Sequence, residues 1–248
     1  MAEEEQEIPG AWAQKIMVVM AHPDDPEFSC GGTMAKWAAE GKEIVYVLFT
    51  RGDKGTGDPD MTSDRLVKIR EQEQRNAAST LGVKDVFFLG HGDGEVDETR
   101  DGRGQVVRMI RMHRPDILVT MDPHRKYQQH RDHRNAAIMA MDATFPYARD
   151  YLHYPEHRAE GLEPHKVGEV FITGPEEPEF FIDIRDHLDK KVEALLCHRS
   201  QVGAGRTHEE MKQRMLDMSR RFNAQLPEGA QPGTMEAFRR IDYRRRGG

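Results

Sequence analysis

Apolar residues along the chain form short runs of strand length, separated by longer segments in which apolar residues recur at helical spacing. The short runs predict strands over residues 15–21, 44–49, 85–89, 115–121, 170–173 and 180–184. The intervening pattern predicts helices over residues 33–39, 64–81, 104–113, 134–145 and 186–197. In the helix over 64–81, Leu66, Ala77 and Leu81 lie near one face, and Gly82 follows as a stop signal.

Alternation of strands and helices predicts the fold class. Strands that are apolar on both faces are typical of a parallel sheet covered by helices on each side. We therefore expect an α/β fold, a three-layer sandwich with a mostly parallel sheet. One domain is predicted over residues 15–225, with an N-terminal tail over 1–14 and a C-terminal tail over 226–248. The basic residues of the predicted C-terminal tail are Arg239, Arg240, Arg244, Arg245 and Arg246.

Composition excludes several classes of protein. The 248 residues carry a net charge of −7, which argues against a general nucleic-acid binder. No stretch approaches the ~20 consecutive apolar residues that a membrane-spanning helix needs. The first six residues lack the basic and apolar pattern of a secretory signal. Cys30 and Cys197 are too few for a disulfide framework or a cysteine-only metal cluster, so we expect a cytoplasmic protein.

Two clusters of histidine and aspartate follow predicted strands. The first, residues 22–25, comes directly after the first strand, and the second, residues 130–133, lies in the loop after the fourth strand. In an open parallel sheet the active crevice lies beyond the carboxyl ends of the strands, where the strand order reverses. If the order is 3-2-1-4, these two loops are neighbours. We therefore expect the clusters to converge, although they lie far apart in the sequence.

The residue types in these clusters favour a metal site. His22 and Asp25 offer one imidazole and one carboxylate, and His133 or His130 offers a second imidazole. Two histidines and one carboxylate with an open fourth position are a catalytic zinc arrangement, although the same set can hold iron or another divalent metal. Asp24 is left over as a general base.

The remaining two members of the second cluster have supporting roles in this interpretation. Asp132 could orient a histidine through a hydrogen bond. The histidine that is not a ligand could donate a hydrogen bond to a developing oxyanion.

These motifs resemble the PIG-L (LmbE-like) family of zinc-dependent N-deacetylases. The residues that carry the resemblance are Ala-His-Pro-Asp-Asp-Pro-Glu at 21–27, Gly-Gly-Thr at 31–33 and His-Arg-Asp-His-Arg at 130–134. Further matches are Arg70, Leu-Gly-Val at 81–83, Asp-Gly-Glu at 93–95 and Leu-Leu-Cys-His-Arg-Ser-Gln at 195–201. The resemblance implies a Rossmann-like sheet, deacetylation of an N-acetylglucosamine moiety, and a homo-oligomer, either a trimer or a hexamer.

The resemblance also implies specific roles for residues of both clusters. His22, Asp25 and His133 would be the metal ligands, and Asp24 would be the general base. Arg131 stands where proline is usual in the family, a change that leaves the proposed ligands intact.

Five further residues are expected in or beside the site. By the resemblance, His130 would stabilise the oxyanion and could protonate the leaving amine, Asp132 would support a histidine, and Arg70 and Asp93 would hold sugar hydroxyls. Arg51 follows the second strand, and from this position it could reach the crevice and bind substrate.

The sequence therefore predicts a zinc-dependent hydrolase that removes an N-acetyl group from a 2-acetamido sugar, either a small molecule that contains N-acetylglucosamine or a glycoconjugate. An alternative is an amidase that cleaves a larger acid from a sugar conjugate at the same site. A nicotinamide-dependent oxidoreductase is disfavoured because no G-x-G-x-x-G fingerprint follows the first strand. A non-catalytic sugar-binding module is disfavoured because every proposed catalytic residue is retained.

Overall fold

The computed structural model describes residues 8–219 and 225–244, which form a seven-stranded sheet with helices on both faces. The strands are β1 (Lys15–Met20), β2 (Glu43–Thr50), β3 (Asp85–His91), β4 (Ile117–Met121), β5 (Glu169–Thr173), β6 (Phe180–Asp183) and β7 (Met235–Asp242). The helices are α1 (Asp25–Ala39), α2 (Ser63–Leu81), α3 (Arg100–His113), α4 (Arg131–Thr144), α5 (Leu188–Cys197), α6 (Arg199–Val202) and α7 (His208–Ser219). Among these described helices, none is both long enough and apolar enough to cross a bilayer.

The strand order is β3-β2-β1-β4-β5-β7-β6. Strands β1 to β5 pair in parallel, whereas β7 runs antiparallel to both of its neighbours. The chain proceeds from β1 outward through β2 and β3, and then returns to place β4 on the other side of β1. This reversal is the 3-2-1-4 order on which the expected convergence depends, and it brings the loops after β1 and β4 to the same crevice.

Alternate side chains of β1 enter two separate cores. Ile16 and Val18 belong to the apolar cluster that includes residues of α1, α2 and α5. Met17 and Val19 belong to the cluster on the opposite face, with residues of α3 and α4. Because successive strand residues point to opposite faces, both faces of the sheet are buried. The predicted α/β three-layer sandwich is confirmed.

The predicted C-terminal tail is wrong over Met235–Asp242, because these residues form β7 between β5 and β6. Phe238 is fully buried and Glu236 is almost fully buried. The Glu236 carboxylate accepts a hydrogen bond from Lys191 Nζ at 2.6 Å. Charged residues interrupt the apolar pattern of this strand, so the sequence does not indicate a buried strand here. The residue that pairs with Glu236 is Lys191, which lies far away in the sequence on α5.

Part of the predicted N-terminal tail also packs on the sheet. The Trp12 indole donates a hydrogen bond to the buried Glu169 carboxylate at 2.8 Å, so this segment is held against β5. Residues 1–7, Arg245 and Arg246 of the predicted tails lie outside the described residues.

The first helix begins earlier than the sequence pattern predicts. It starts at Asp25, with proline in its first turn, and a non-helical Cys30 (φ −144°) kinks it before Gly31. Gly32 allows close packing at this kink, since a Cβ there would lie 2.4 Å from Ile184 Cδ1. The two glycines therefore lie inside the helix and not in a loop before it.

We predict that Glu236→Ala lowers the free energy of unfolding by about 3 kcal/mol, because it leaves the buried Lys191 ammonium without its carboxylate. Glu236 also accepts hydrogen bonds from the backbone N–H groups of Gly32 (2.9 Å) and Thr33 (2.7 Å), which would lose their acceptor. Urea denaturation measures the change, with the exposed Glu228→Ala as the matched control. Equal stability of the two variants would show that residues 235–242 are not part of the sheet.

Candidate metal centre

The loop between β1 and α1 presents residues 22–25 at the crevice. The His22 backbone N–H donates to Asp25 Oδ2 at 2.8 Å, which closes a tight turn. Asp24 occupies the left-handed region, with φ 89°, a conformation that is costly for a residue with a side chain. The turn places an imidazole and two carboxylates next to one another at the start of a helix.

The β4–α4 loop meets this turn. Nδ1 of His22 lies 3.2 Å from Nε2 of His133, which is in the first turn of α4. Nε2 of His133 lies 3.2 Å from Asp25 Oδ1, and Nδ1 of His22 lies 3.4 Å from Asp25 Oδ2. The structure therefore brings the three predicted metal ligands together at one point.

The other ring nitrogen of His22 faces Asp132. Nε2 of His22 donates to Asp132 Oδ2 at 2.9 Å. The Asp132 carboxylate is fully buried and also accepts the backbone N–H groups of Gly94 (2.7 Å) and Val96 (3.1 Å). Burial would raise the pKa of Asp132, but the bonds from His22 and from these N–H groups hold that pKa below its usual range. Asp132 is therefore a fixed acceptor that orients the His22 ring.

Carboxylates dominate the electrostatics of the cluster. Burial alone would lower the pKa of His22, but its contacts with Asp132, Asp25 and Asp93 raise that pKa to about 12. Burial and the neighbouring charge of Asp25 raise the pKa of Asp24 to about 7. Burial opposes ionisation of Asp25 as well, yet His133 and His22 hold its pKa far below its usual range. A proton on His22 and a metal cation would therefore compete for the same carboxylates.

His130 lies at the exposed side of the cluster. Its ring stacks on His133 with centroids 4.5 Å apart and meets the His22 ring edge-on at 4.6 Å. Burial and the neighbouring histidines lower the pKa of His130. Its exposure leaves it able to contact a bound substrate, which the buried His22 cannot do as readily.

Two groups of side chains could hold a cation, one on each side of the His22 ring. One contains His22, His130 and His133, and the other contains His22, His130, Asp93 and Asp132, with donor atoms within 4.8 Å of one another in each. Asp25 belongs to neither group, yet it contacts both His22 and His133, whereas the oxygens of Asp132 already accept three hydrogen bonds. The donor set of His22 Nδ1, His133 Nε2 and an Asp25 oxygen therefore fits a divalent metal better.

Arg70 and Asp93 line the neighbouring side of the crevice. Arg70, on α2, is 4% exposed and donates to the Pro23 carbonyl at 2.9 Å. Its other amine donates to Asp93 Oδ2 at 3.5 Å, and its guanidinium lies 3.5 Å from Asp24 Oδ2. Asp93 Oδ1 lies 3.3 Å from Nε2 of His22. The structure thus brings both predicted substrate residues to the cluster, with Arg70 almost enclosed.

Arg51 does not join them. Its guanidinium forms an ion pair with Glu71 on the surface of α2, and its side chain is about half exposed. No contact among the described residues connects Arg51 to the histidine and aspartate cluster. Its position after β2 is at the correct sheet edge, but its side chain turns towards solvent.

Sequence reasoning missed the residues that support the turn from behind. Gln74 is fully buried and accepts the Asp24 backbone N–H at 2.8 Å. The sequence did contain a signal for Gln74. It lies one helical turn after Arg70, a predicted site residue, and therefore shares a face of α2 with it. Glu27 and His198, both fully buried, continue this network.

The chain matches a known protein family and a known deacetylase. The family model of PIG-L, GlcNAc-PI de-N-acetylase, matches residues 17–144. Diacetylchitobiose deacetylase of Thermococcus kodakarensis is 34% identical over 188 residues, which cover 76% of this chain and 70% of the relative.

Two solved structures share the fold. The N,N'-diacetylchitobiose deacetylase from Pyrococcus horikoshii, in complex with an inhibitor, has a TM-score of 0.84 and 26% identity, over 94% of this chain and 86% of that one. The 4-carboxy-2-hydroxymuconate hydratase of Pseudomonas putida has a TM-score of 0.74 and 22% identity, over 92% and 96% of the two chains. The second likeness concerns the fold alone.

The family match and the deacetylase relatives confirm both the resemblance and the predicted enzyme class. The chain belongs to the PIG-L family of metal-dependent N-deacetylases.

Proposed function

We propose that this protein hydrolyses the acetamido group of a small N-acetylated amino sugar, with zinc held by His22, Asp25 and His133. The observation that carries the proposal is the convergence of the three side chains: the two imidazole nitrogens lie 3.2 Å apart, Asp25 Oδ2 lies 3.4 Å from His22 Nδ1, and Asp25 Oδ1 lies 3.2 Å from His133 Nε2. The substrate class is supported by the relative named for diacetylchitobiose and by the family description, which names a GlcNAc compound.

The distance between the two imidazole nitrogens, 3.2 Å, and the distance of each nitrogen from the Asp25 oxygen that faces it suit zinc. In a tetrahedral site with bonds of about 2.0–2.1 Å, neighbouring ligand atoms are about 3.3–3.4 Å apart. Two imidazoles and one carboxylate leave a fourth position open for chemistry. Bound zinc would supply a Lewis acid and activate water near neutral pH.

Asp24 is the general base in this proposal. Its carboxylate lies beside Asp25 but contacts neither histidine of the ligand set, so it is free to take the proton of the attacking water. Arg70, 3.5 Å from Asp24 Oδ2, holds the carboxylate at the edge of the crevice. The same carboxylate can then return the proton to the leaving nitrogen.

His130 stabilises the oxyanion. Its ring is fixed against His133 and His22, yet it remains exposed on the substrate side. An N–H donor aimed at the position where negative charge develops lowers the barrier more than it strengthens substrate binding.

A cavity of about 350 Å³ opens against Asp25 and His133, and Phe28, Met121 and Arg125 are among its other lining residues. This volume is at the lower end of the range for small-molecule pockets. On the other side of the ligand set, the partly exposed Asp93 carboxylate is available to accept a hydrogen bond from a sugar hydroxyl. The site therefore suits a small amino sugar. The homo-oligomer and the cytoplasmic location stay predictions.

The direct test is an assay of the zinc-loaded protein with N-acetylglucosamine and N,N'-diacetylchitobiose. We expect equal amounts of acetate and free amine. Release of a larger acid from an N-acylated sugar conjugate, with no acetate from either sugar, would support the alternative amidase. Absence of any amide hydrolysis would contradict the proposed function.

We predict that Asp24→Asn retains zinc and loses about 10²–10⁴-fold in kcat, because the amide cannot accept the proton. Metal analysis and acetate release together measure this. The control is Asp25→Asn, which should lose zinc. Loss of zinc from Asp24→Asn combined with its retention by Asp25→Asn would reverse the assignment of the two aspartates.

We predict that His130→Ala also retains zinc and loses about 10²-fold or more in kcat, since one oxyanion donor is removed. KM should change little, because the interaction forms mainly in the transition state. Wild-type turnover by this variant would remove His130 from the proposed role, and loss of zinc would make it a ligand.

A further inference from the structure

Behind the proposed base lies a buried chain of polar side chains that the reaction itself does not use. It runs from Asp24 through Gln74 and Glu27 to His198, at the junction of α5 and α6. Gln74, Glu27 and His198 are all 0% exposed, so none of them can touch a substrate. Buried polar groups are costly unless they are paired, so an unbroken chain of this kind needs a reason.

The chain begins at the strained turn. Asp24 has φ 89°, which an aspartate adopts only when its surroundings enforce it. Gln74 Oε1 accepts the Asp24 N–H at 2.8 Å and thereby holds the peptide unit in this orientation. The direction of the Asp24 side chain follows from that of its backbone, so the Gln74 amide sets where the carboxylate points.

Glu27 decides which way the Gln74 amide faces. Nε2 of Gln74 donates to Glu27 Oε1 at 2.9 Å. If the amide were reversed, its NH₂ group would face the Asp24 N–H, donor against donor, and its oxygen would face the carboxylate. The observed orientation pairs both polar groups of the Gln74 amide, its oxygen with the Asp24 N–H and its NH₂ group with Glu27 Oε1, so these two contacts select it.

His198 contacts the second oxygen of Glu27. Its Nε2 lies 3.2 Å from Glu27 Oε2, and its Nδ1 has no hydrogen-bond partner among the described residues. The polar interaction of this ring is therefore directed at Glu27. Burial would lower the pKa of His198, but the contact with Glu27 raises it.

The position of His198 does not depend on its own ring. Two residues further on, the Ser200 N–H and hydroxyl donate to the Glu73 carboxylate at 2.8 and 2.6 Å, which ties the α5–α6 junction to α2. Removal of the imidazole should leave this junction in place. The ring is thus not needed as an anchor, and its contact with Glu27 requires another explanation.

We propose that His198 is a positioning residue which, through Glu27 and Gln74, holds the Asp24 turn so that the Asp24 carboxylate faces the site. This inference rests on the proposed role of Asp24 as the general base. It gives a function to the Leu-Leu-Cys-His-Arg-Ser-Gln segment at 195–201, which the reaction leaves unexplained.

Hydrogen exchange at the Asp24 amide tests the proposal without a substrate. In His198→Ala, we expect the Asp24 amide to exchange roughly tenfold faster or more, while amides in the second half of α1 keep their protection. The matched control is His157→Gln, which alters another buried histidine, stacked on Tyr154 in the core on the opposite face of the sheet. Unchanged exchange at Asp24 in His198→Ala would overturn the proposal.

Kinetics of acetate release provide the second readout. We expect His198→Ala to lose roughly 10- to 100-fold in kcat with little change in KM and with zinc retained. His198→Gln, which keeps a donor for Glu27, should recover most of kcat. If His198→Ala does not fold, His198→Leu, which fills more of the space but has no donor for Glu27, replaces it and should show the same loss.

A double-mutant cycle separates positioning from a general structural effect. In the Asp24→Asn background, His198→Ala should cause no further loss of kcat, because the residue that it positions is already inactive. Full multiplicative loss in the double variant would overturn the proposal. If the wild type releases no acetate, the proposed function fails, and the exchange at the Asp24 amide still decides whether His198 holds the turn.

Discussion

The arrangement of the site depends on how the ring of His22 is held. Nε2 of His22 is bonded to Asp132, which is itself fixed by the backbone N–H groups of Gly94 and Val96 after β3. That bond turns Nδ1 towards Asp25 and His133. One imidazole therefore connects the segments that follow β1, β3 and β4, and the donor set exists because this ring has a single orientation.

A second constraint is the concentration of negative charge around that ring. Four aspartates, Asp24, Asp25, Asp93 and Asp132, lie in or beside the same cluster. Arg70 is inserted beneath them, with its guanidinium near two of the carboxylates and its Nε without a hydrogen-bond partner among the described residues. The remaining imbalance favours a divalent cation, because Arg70 and a protonated His22 together do not neutralise the carboxylates of the cluster.

Much of this could be predicted from the sequence, since apolar runs identify β1 and β4 and the switch-point rule places His22 near His133. What could not be predicted depends on pairings between distant segments. β7 was missed because Glu236 interrupts its apolar pattern, and only the folded chain shows the Lys191 that neutralises it. Likewise, the sequence places Arg51 at the edge of the sheet that carries the site. The direction of its side chain is set by a local partner, Glu71, which the sequence pattern does not reveal.

The central claim is that one metal ion joins the β1–α1 and β4–α4 loops. An anomalous difference map collected at the zinc absorption edge from crystals of the zinc-loaded protein tests it most directly. The account predicts one peak at the cluster, at about 2.0–2.2 Å from His22 Nδ1, His133 Nε2 and an Asp25 oxygen. A peak bonded to Asp93 and Asp132 on the other side of the His22 ring, or a cluster without a peak, would contradict it.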